Sequence, residues 1–223
     1  MTTRRTLYEN QYIGAFIYAL GLYAGITKGK EALNALSLMQ QTPLDTQLGD
    51  LFAAWGGRNF LFEFKRTEKD AKTEHGKKSK ANLISSIHAD EEIYRLSMMS
   101  HFLCYASDED RNTTLLFQQY ALTKNNLSQE GVRRVALPNF IKQILENKKL
   151  GLNITQMTSY KNFLLKNLGG SSGDVSGAII NIDKDGNPNI VKFENLLDLE
   201  KNLEQLNQKT HHMSRGHNHG MER

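Results

Sequence analysis

The stretch Gly49-Asp50-Leu51-Phe52-Ala53-Ala54-Trp55-Gly56-Gly57-Arg58-Asn59-Phe60-Leu61-Phe62-Glu63-Phe64-Lys65 decides the fold. Two apolar runs, Gln47 to Trp55 and Phe60 to Arg66, are separated by Gly56-Gly57-Arg58-Asn59, and a glycine pair between aromatic-rich runs predicts a β-hairpin. In the second run Phe60, Phe62 and Phe64 alternate with Leu61, Glu63 and Lys65. A strand repeats every two residues, so the phenylalanines pack on one face while Glu63 and Lys65 share the other. A Gly57-Arg58 turn, or a four-residue loop, puts Asp50 opposite Lys65; a Gly56-Gly57 turn puts it opposite Glu63. Either register leaves Asp50, Glu63 and Lys65 on one face, because opposed residues share a face.

That face has a chemical meaning. Diagonal neighbours across a hairpin lie about 7 Å apart, so two carboxylates there can converge on one hard cation. Mg²⁺ takes few protein ligands and keeps waters, which leaves positions for phosphate and nucleophile. A lysine two residues beyond the second carboxylate can orient an attacking water or stabilise developing charge. The bland alternative is a surface Glu–Lys ion pair on an ordinary hairpin.

Working outward, the chain before the hairpin begins with a helix over Leu7 to Ile26, whose Ile13, Phe16, Ile17, Leu20 and Ala24 form an apolar stripe. Glu9 stands four residues before Ile13, on the same face. A second short helix is predicted over Lys30 to Met39, ahead of Pro43. Tyr12 to Ile26 is nearly uncharged, yet it is shorter than the roughly 20 residues needed to span a bilayer and is diluted by glycine and tyrosine. A buried amphipathic helix is expected, with no membrane segment.

After the hairpin, Lys65 to Lys80 holds seven Lys/Arg against three acids, a surplus equal to the net charge of +4 on the whole chain. It reads as a polar, basic loop suited to phosphate contact. Ala81 to Met99 is predicted helical, His101 to Ala106 a buried strand, Asp108-Glu109-Asp110 a turn and Thr113 to Leu122 a strand. Val132 to Glu146 and Gln156 to Leu168 are predicted helices. Gly169 to Gly173 is a flexible turn or linker. Ala178 to Ile182 and Ile190 to Phe193 form a second hairpin around Asp185-Gly186-Asn187-Pro188, and a last helix covers Leu196 to Leu206. The His-rich tail, 210–223, is expected to be disordered.

The length of 223 residues allows one full domain with an elaborated end, and 39% hydrophobic against 23% charged is ordinary globular composition. A lone Cys104 supports no disulfide framework and suits a reducing, cytoplasmic setting. The expected fold class is mixed α/β, with 1–168 as the core and 169–209 as a hairpin and helix packed on it or extending it.

The order and motif together resemble the PD-(D/E)XK nuclease superfamily, which has the restriction-endonuclease-like fold. The likeness rests on Gly49-Asp50, twelve residues, then Glu63-Phe64-Lys65 on a hydrophobic strand after a hairpin, and it covers Leu7 to Ala106. The family has a leading helix, a β-meander carrying the Asp and E-x-K, a crossover helix and a further strand in a mixed sheet flanked by helices. Leu48-Gly49 stands where many members have a proline, and the Gln-rich helix motif of the RecB-like branch is absent. The resemblance implies Mg²⁺ or Mn²⁺ held by Asp50, Glu63 and the Phe64 carbonyl, with Glu9 completing the shell and Lys65 serving the water. It implies hydrolysis of phosphodiesters, of DNA more than RNA, in restriction, phage defence or DNA processing. Lys69, Lys72, Lys77, Lys78 and Lys80 would then hold the phosphate backbone. The alternative is a non-catalytic subunit on the same fold that binds nucleic acid, a protein partner or a second copy.

Other candidates carry less. His88 lies near the basic segment, His101 reads as structural, and Cys104 reads as a small buried hydrophobe. Asn181 to Gly186 mimics an EF-hand opening, but Lys192 stands where a bidentate glutamate is required. The tail histidines, including His211 and His217, are assigned no role.

Overall fold

The computed structural model describes residues 7–28, 35–38, 49–55, 57–109, 112–123, 134–147, 149–168, 177–182, 188–193 and 201. Helix α1 (Glu9–Lys28) leads into strands β1 (Ala35–Leu38), β2 (Leu51–Trp55) and β3 (Arg58–Lys65). Helices α2 (Glu68–His75), α3 (Lys78–Ala89) and α4 (Glu91–Ser100) cross to β4 (His101–Glu109), which turns back as β5 (Asn112–Gln119). After a single 3₁₀ turn (Tyr120–Thr123) come β6 (Val135–Ala136), α5 (Leu137–Glu146), α6 (Ile154–Leu168), β7 (Gly177–Ile182) and β8 (Pro188–Phe193). The fold is mixed α/β, and its middle is a five-stranded mixed sheet, β1 to β5, flanked by helices.

The strands lie in the order β6-β5-β4-β3-β2-β1-β7-β8. Among the described residues only β3 and β4 pair in parallel, with Glu63 beside Leu103 and Lys65 beside Tyr105; the other neighbouring pairs described are antiparallel. A parallel pair needs a long crossover, and α2 to α4 supply it. Each face of the sheet buries its own core. On one side α1 and α5 cover Leu51, Ala53, Phe60, Phe62, Phe64, Phe102, Cys104 and Phe117. On the other, α2, α3, α4 and α6 cover Phe52, Ala54, Leu61, Leu103 and Tyr105.

Phe16 of α1 is the centre of the first core, with ring centroids 5.0 Å from Phe62, 5.8 Å from Phe64 and 5.3 Å from Phe117. Tilted ring pairs at such distances add to the burial of large apolar area. This pins the phenylalanine face of β3 against α1, so the opposite face of the strand is fixed too.

Several expectations give way. Ala35–Leu38, placed in a helix over Lys30 to Met39, is a strand paired with both β2 and β7. Alanine and leucine favour helix, but propensity is a weak preference, and two waiting partner strands override it. The basic segment after Lys65 is helical and not a loop, and Ala81 to Met99 is two helices. The break falls at Asp90, whose carboxylate accepts the Ile93 N–H at 3.0 Å and caps α4. Asp108 and Glu109 belong to β4 and not to a turn, with Glu109 opposite Asn112. The strand expected to Leu122 ends at Gln119, and the helix expected from Val132 begins at Leu137 with Pro138 in its first turn.

The C-terminal hairpin forms as expected, with Ile182 opposite Pro188, and β7 joins it to the sheet through β1. Of the expected last helix only Lys201 is described, as helical. The linker at 169–173, the hairpin loop at 183–187 and the tail lie outside the described residues. No helix is long and apolar enough to cross a membrane among the described residues.

Candidate active site

Turn length fixes the register. Trp55 pairs with Arg58 and Leu51 with Phe62, which is the register of the shortest turn considered, and Gly57 lies in that turn at φ +71°. The ladder ends at Leu51 and Phe62, and Asp50 stands in the bend just before it. The Asp50 N–H donates to the Phe62 carbonyl at 2.9 Å. Gly49, just before it, has φ +95°, and a Cβ there would lie 2.9 Å from that same carbonyl oxygen. Glycine is required at this bend on both counts.

Phe52, Ala54 and Leu61 belong to the core beneath α2, α3, α4 and α6. Glu63 and Lys65 follow the same alternation on β3 and share that face, and the charge of Asp50, in the bend before β2, acts on Lys65 there. All three are far from exposed: Asp50 is 3% and Glu63 4% accessible, and the Lys65 side chain 14%. The Asp50 carboxylate accepts the backbone N–H of Phe64. In a strand the N–H and C=O of one residue point to the same neighbour, so the Phe64 carbonyl is directed to Asp50's side as well.

Buried carboxylates need compensation. Glu63 has two cations: Lys65 Nζ lies 3.2 Å from Oε1, and Lys80 Nζ lies 3.2 Å from Oε2 and 3.4 Å from Oε1. Burial by itself lowers the pKa of the Lys65 ammonium, but the charges of Glu63, Asp50 and Glu9 outweigh it and hold the pKa above the ordinary value of 10.5. Lys65 therefore stays cationic, and the field of Glu9, at the start of α1, reaches it together with the fields of the two strand carboxylates.

The five expected lysines do not form one group. Lys69, Lys72, Lys77 and Lys78 are exposed, and Lys72 pairs with Glu68 of its own helix at 3.0 Å. Lys80, expected among them on the phosphate-binding surface, is only 7% accessible and turns inward to Glu63. Its place was visible in the spacing: Lys80, Leu83, Ile84 and Ile87 are the buried positions of α3, an i, i+3, i+4, i+7 stripe. A helix that begins at Ala81 leaves Lys80 outside the stripe by one residue.

Among the described residues, no group of three or more His, Cys, Asp or Glu side chains is gathered to hold a metal ion. Mg²⁺ asks for less: one or two carboxylates, with water and substrate oxygens filling the octahedron. Asp50, Glu63 and the Phe64 carbonyl fit that donor set in type and number. Glu63 meets it only by giving up an ammonium partner.

The remaining candidates are structural. His88 Nε2 sits 2.8 Å from the Ala121 carbonyl. His101 stacks on Tyr120 at 4.0 Å, with Nδ1 2.9 Å from the Tyr160 hydroxyl. Cys104 is fully buried, and burial together with the Asp50 charge pushes its thiol pKa well up. Tyr105, beside Lys65 on β4, is completely buried. No protein family, curated protein or solved structure matches the chain.

Proposed function

We propose that the chain is a divalent-metal-dependent nuclease that hydrolyses DNA phosphodiesters. The observation that carries this reading is the buried Glu63–Lys65 pair on one face of β3, with Asp50 tied to Phe64 between them and Glu9 acting electrostatically on the same lysine. The order of elements supports it: a leading helix, a meander carrying both carboxylates, a helical crossover, and a strand parallel to the one bearing Glu63-Phe64-Lys65.

Bound metal would supply a nucleophilic water at neutral pH and neutralise phosphoryl charge. The chain's own groups do the rest. Asp50, held by the Phe64 N–H, and Glu63, held by the hairpin register, would be its ligands. Lys65, fixed as a cation by its neighbours, cannot act as a general base near neutral pH; it stabilises charge gathering on the attacked phosphate and orients the water. Exposed Lys69, Lys72, Lys77 and Lys78 on α2 and at the start of α3 offer a salt-sensitive phosphate surface on the side of the sheet that carries the site.

The test is cleavage of plasmid, linear duplex, single-stranded DNA and RNA with Mg²⁺, Mn²⁺ or EDTA, using wild type, Glu63→Ala and Lys65→Ala. Metal-dependent cutting lost in both variants is expected. Cutting that survives both would sink the site. One observation favours a second reading: Glu63 is already neutralised by two lysines, as in a non-catalytic nucleic-acid- or protein-binding subunit whose charges serve only folding. That reading requires no Mn²⁺ binding and no cleavage.

A further inference from the structure

Lys80 sits third in α3, a helix with no acidic residue in its first turn and no side-chain cap at Lys77. The N-terminal end of a helix carries partial positive charge and disfavours a cation. The side chain is nevertheless buried, and the contact that offsets its position is Glu63, whose two oxygens lie 3.2 and 3.4 Å away. Glu63 already has Lys65 at 3.2 Å. Two ammonium groups thus stand on one carboxylate, and a divalent cation added to it would meet both at close range.

Which of them gives way follows from the surroundings. Lys65 projects from β3 itself, on the same strand and face as the Glu63 it pairs with. Lys80 comes from another element. It is a long, flexible side chain, and Lys77 and Lys78 beside it at the start of α3 are exposed.

We propose that Lys80 is a placeholder for the divalent ion: it compensates Glu63 while no metal is bound and must leave that carboxylate when metal enters. Lys80 is then a positioning residue that keeps the apo-protein folded at the cost of metal affinity. This rests on the metal site of the proposed nuclease.

The experiment is calorimetric titration of the full chain with Mn²⁺, together with thermal unfolding in EDTA. Wild type, Lys80→Met, Lys80→Arg and Glu63→Gln are compared. Lys80→Met is expected to unfold at lower temperature in EDTA, to bind Mn²⁺ at least tenfold more tightly than wild type, and to gain more thermal stability from it. Lys80→Arg, which keeps the charge, is expected to stay near wild type in all three. Glu63→Gln is expected to lose Mn²⁺ binding. Lys80→Gln is the second variant for the same comparison should Lys80→Met fail to fold. Wild type binding Mn²⁺ through Glu63, with Lys80→Met binding it no more tightly, overturns the placeholder alone. No binding by wild type or by either neutral variant, or binding undiminished in Glu63→Gln, overturns the metal site and the placeholder with it.

Discussion

The carboxylate of Asp50 accepts the backbone N–H of Phe64, so the residue just before β2 is tied to the middle of the Glu63-Phe64-Lys65 triplet on β3. This bond extends the hairpin by one side-chain link beyond its last backbone pair, and it holds Asp50 at a set distance from Glu63. Asp50→Asn keeps an acceptor for the Phe64 N–H, whereas Asp50→Ala leaves that buried donor unmatched at a cost of about 1–3 kcal/mol. Urea denaturation should show Asp50→Asn as clearly the more stable of the two, and both should be inactive in metal-dependent cleavage. Equal stability of the two variants would mean that the bond does not hold the site.

Gly49 is the second constraint on Asp50. Its φ of +95° and the 2.9 Å approach to the Phe62 carbonyl penalise any Cβ. Gly49→Ala should lose about 1–2 kcal/mol from the left-handed backbone alone, and more from the clash. Because the bend sets Asp50, activity should fall further than stability predicts. Thermal melts alongside cleavage rates would separate the two; a wild-type melting temperature would refute the strain.

Tyr105 gives a pH signature. Burial is the main cause that pushes its phenol up to about 12; Arg134 opposes this, and Glu68 and Cys104 add to it. A folded value above the ordinary 10.0 means that the unfolded chain releases the proton first. The contribution is therefore intact below pH 10 and is lost as pH rises from 10 toward 12, amounting to on the order of 2 kcal/mol. The Tyr105 hydroxyl has no hydrogen-bond partner among the described residues, so Tyr105→Phe should cost little at neutral pH and make the alkaline decline shallower. Denaturation midpoints at several alkaline pH values would show an unchanged decline if this is wrong.

Cys104 is the chain's one thiol, buried on the α1 side of β4 with its pKa well raised. Thiolate, not thiol, is the reactive form. The native protein should therefore resist disulfide-exchange reagents at neutral pH, and labelling should track unfolding. Rapid labelling in native buffer would contradict this placement.

The sequence made the β2–β3 hairpin legible because two independent signals agree there. The alternation Phe60-Leu61-Phe62-Glu63-Phe64-Lys65 assigns faces and puts Glu63 and Lys65 together for any admissible turn. Choosing among the turns took the backbone, since both glycines and Arg58 were acceptable turn residues. β1 was not legible: Ala35–Leu38 is a strand because β2 and β7, the latter far along the chain, flank it. Lys80 was half legible. Its charge placed it with its surface neighbours, while its helical phase with Leu83 and Ile84 placed it inside, and phase decides burial.

The alternation of β3 has one further consequence, for tolerance to mutation. Phe60, Phe62 and Phe64 bear on whether the protein persists in a cell, and, in the proposed nuclease, Glu63 and Lys65 on what it does there. A saturation library over Arg58–Lys65, scored separately for abundance and for activity, should show two interleaved profiles from Phe62 onward: abundance falling at Phe62 and Phe64, and activity alone falling at Lys65. Glu63, which both lysines need, should fall in both. Where function is written on every other residue of a strand, its losses in the two scores will be offset from each other by a single position.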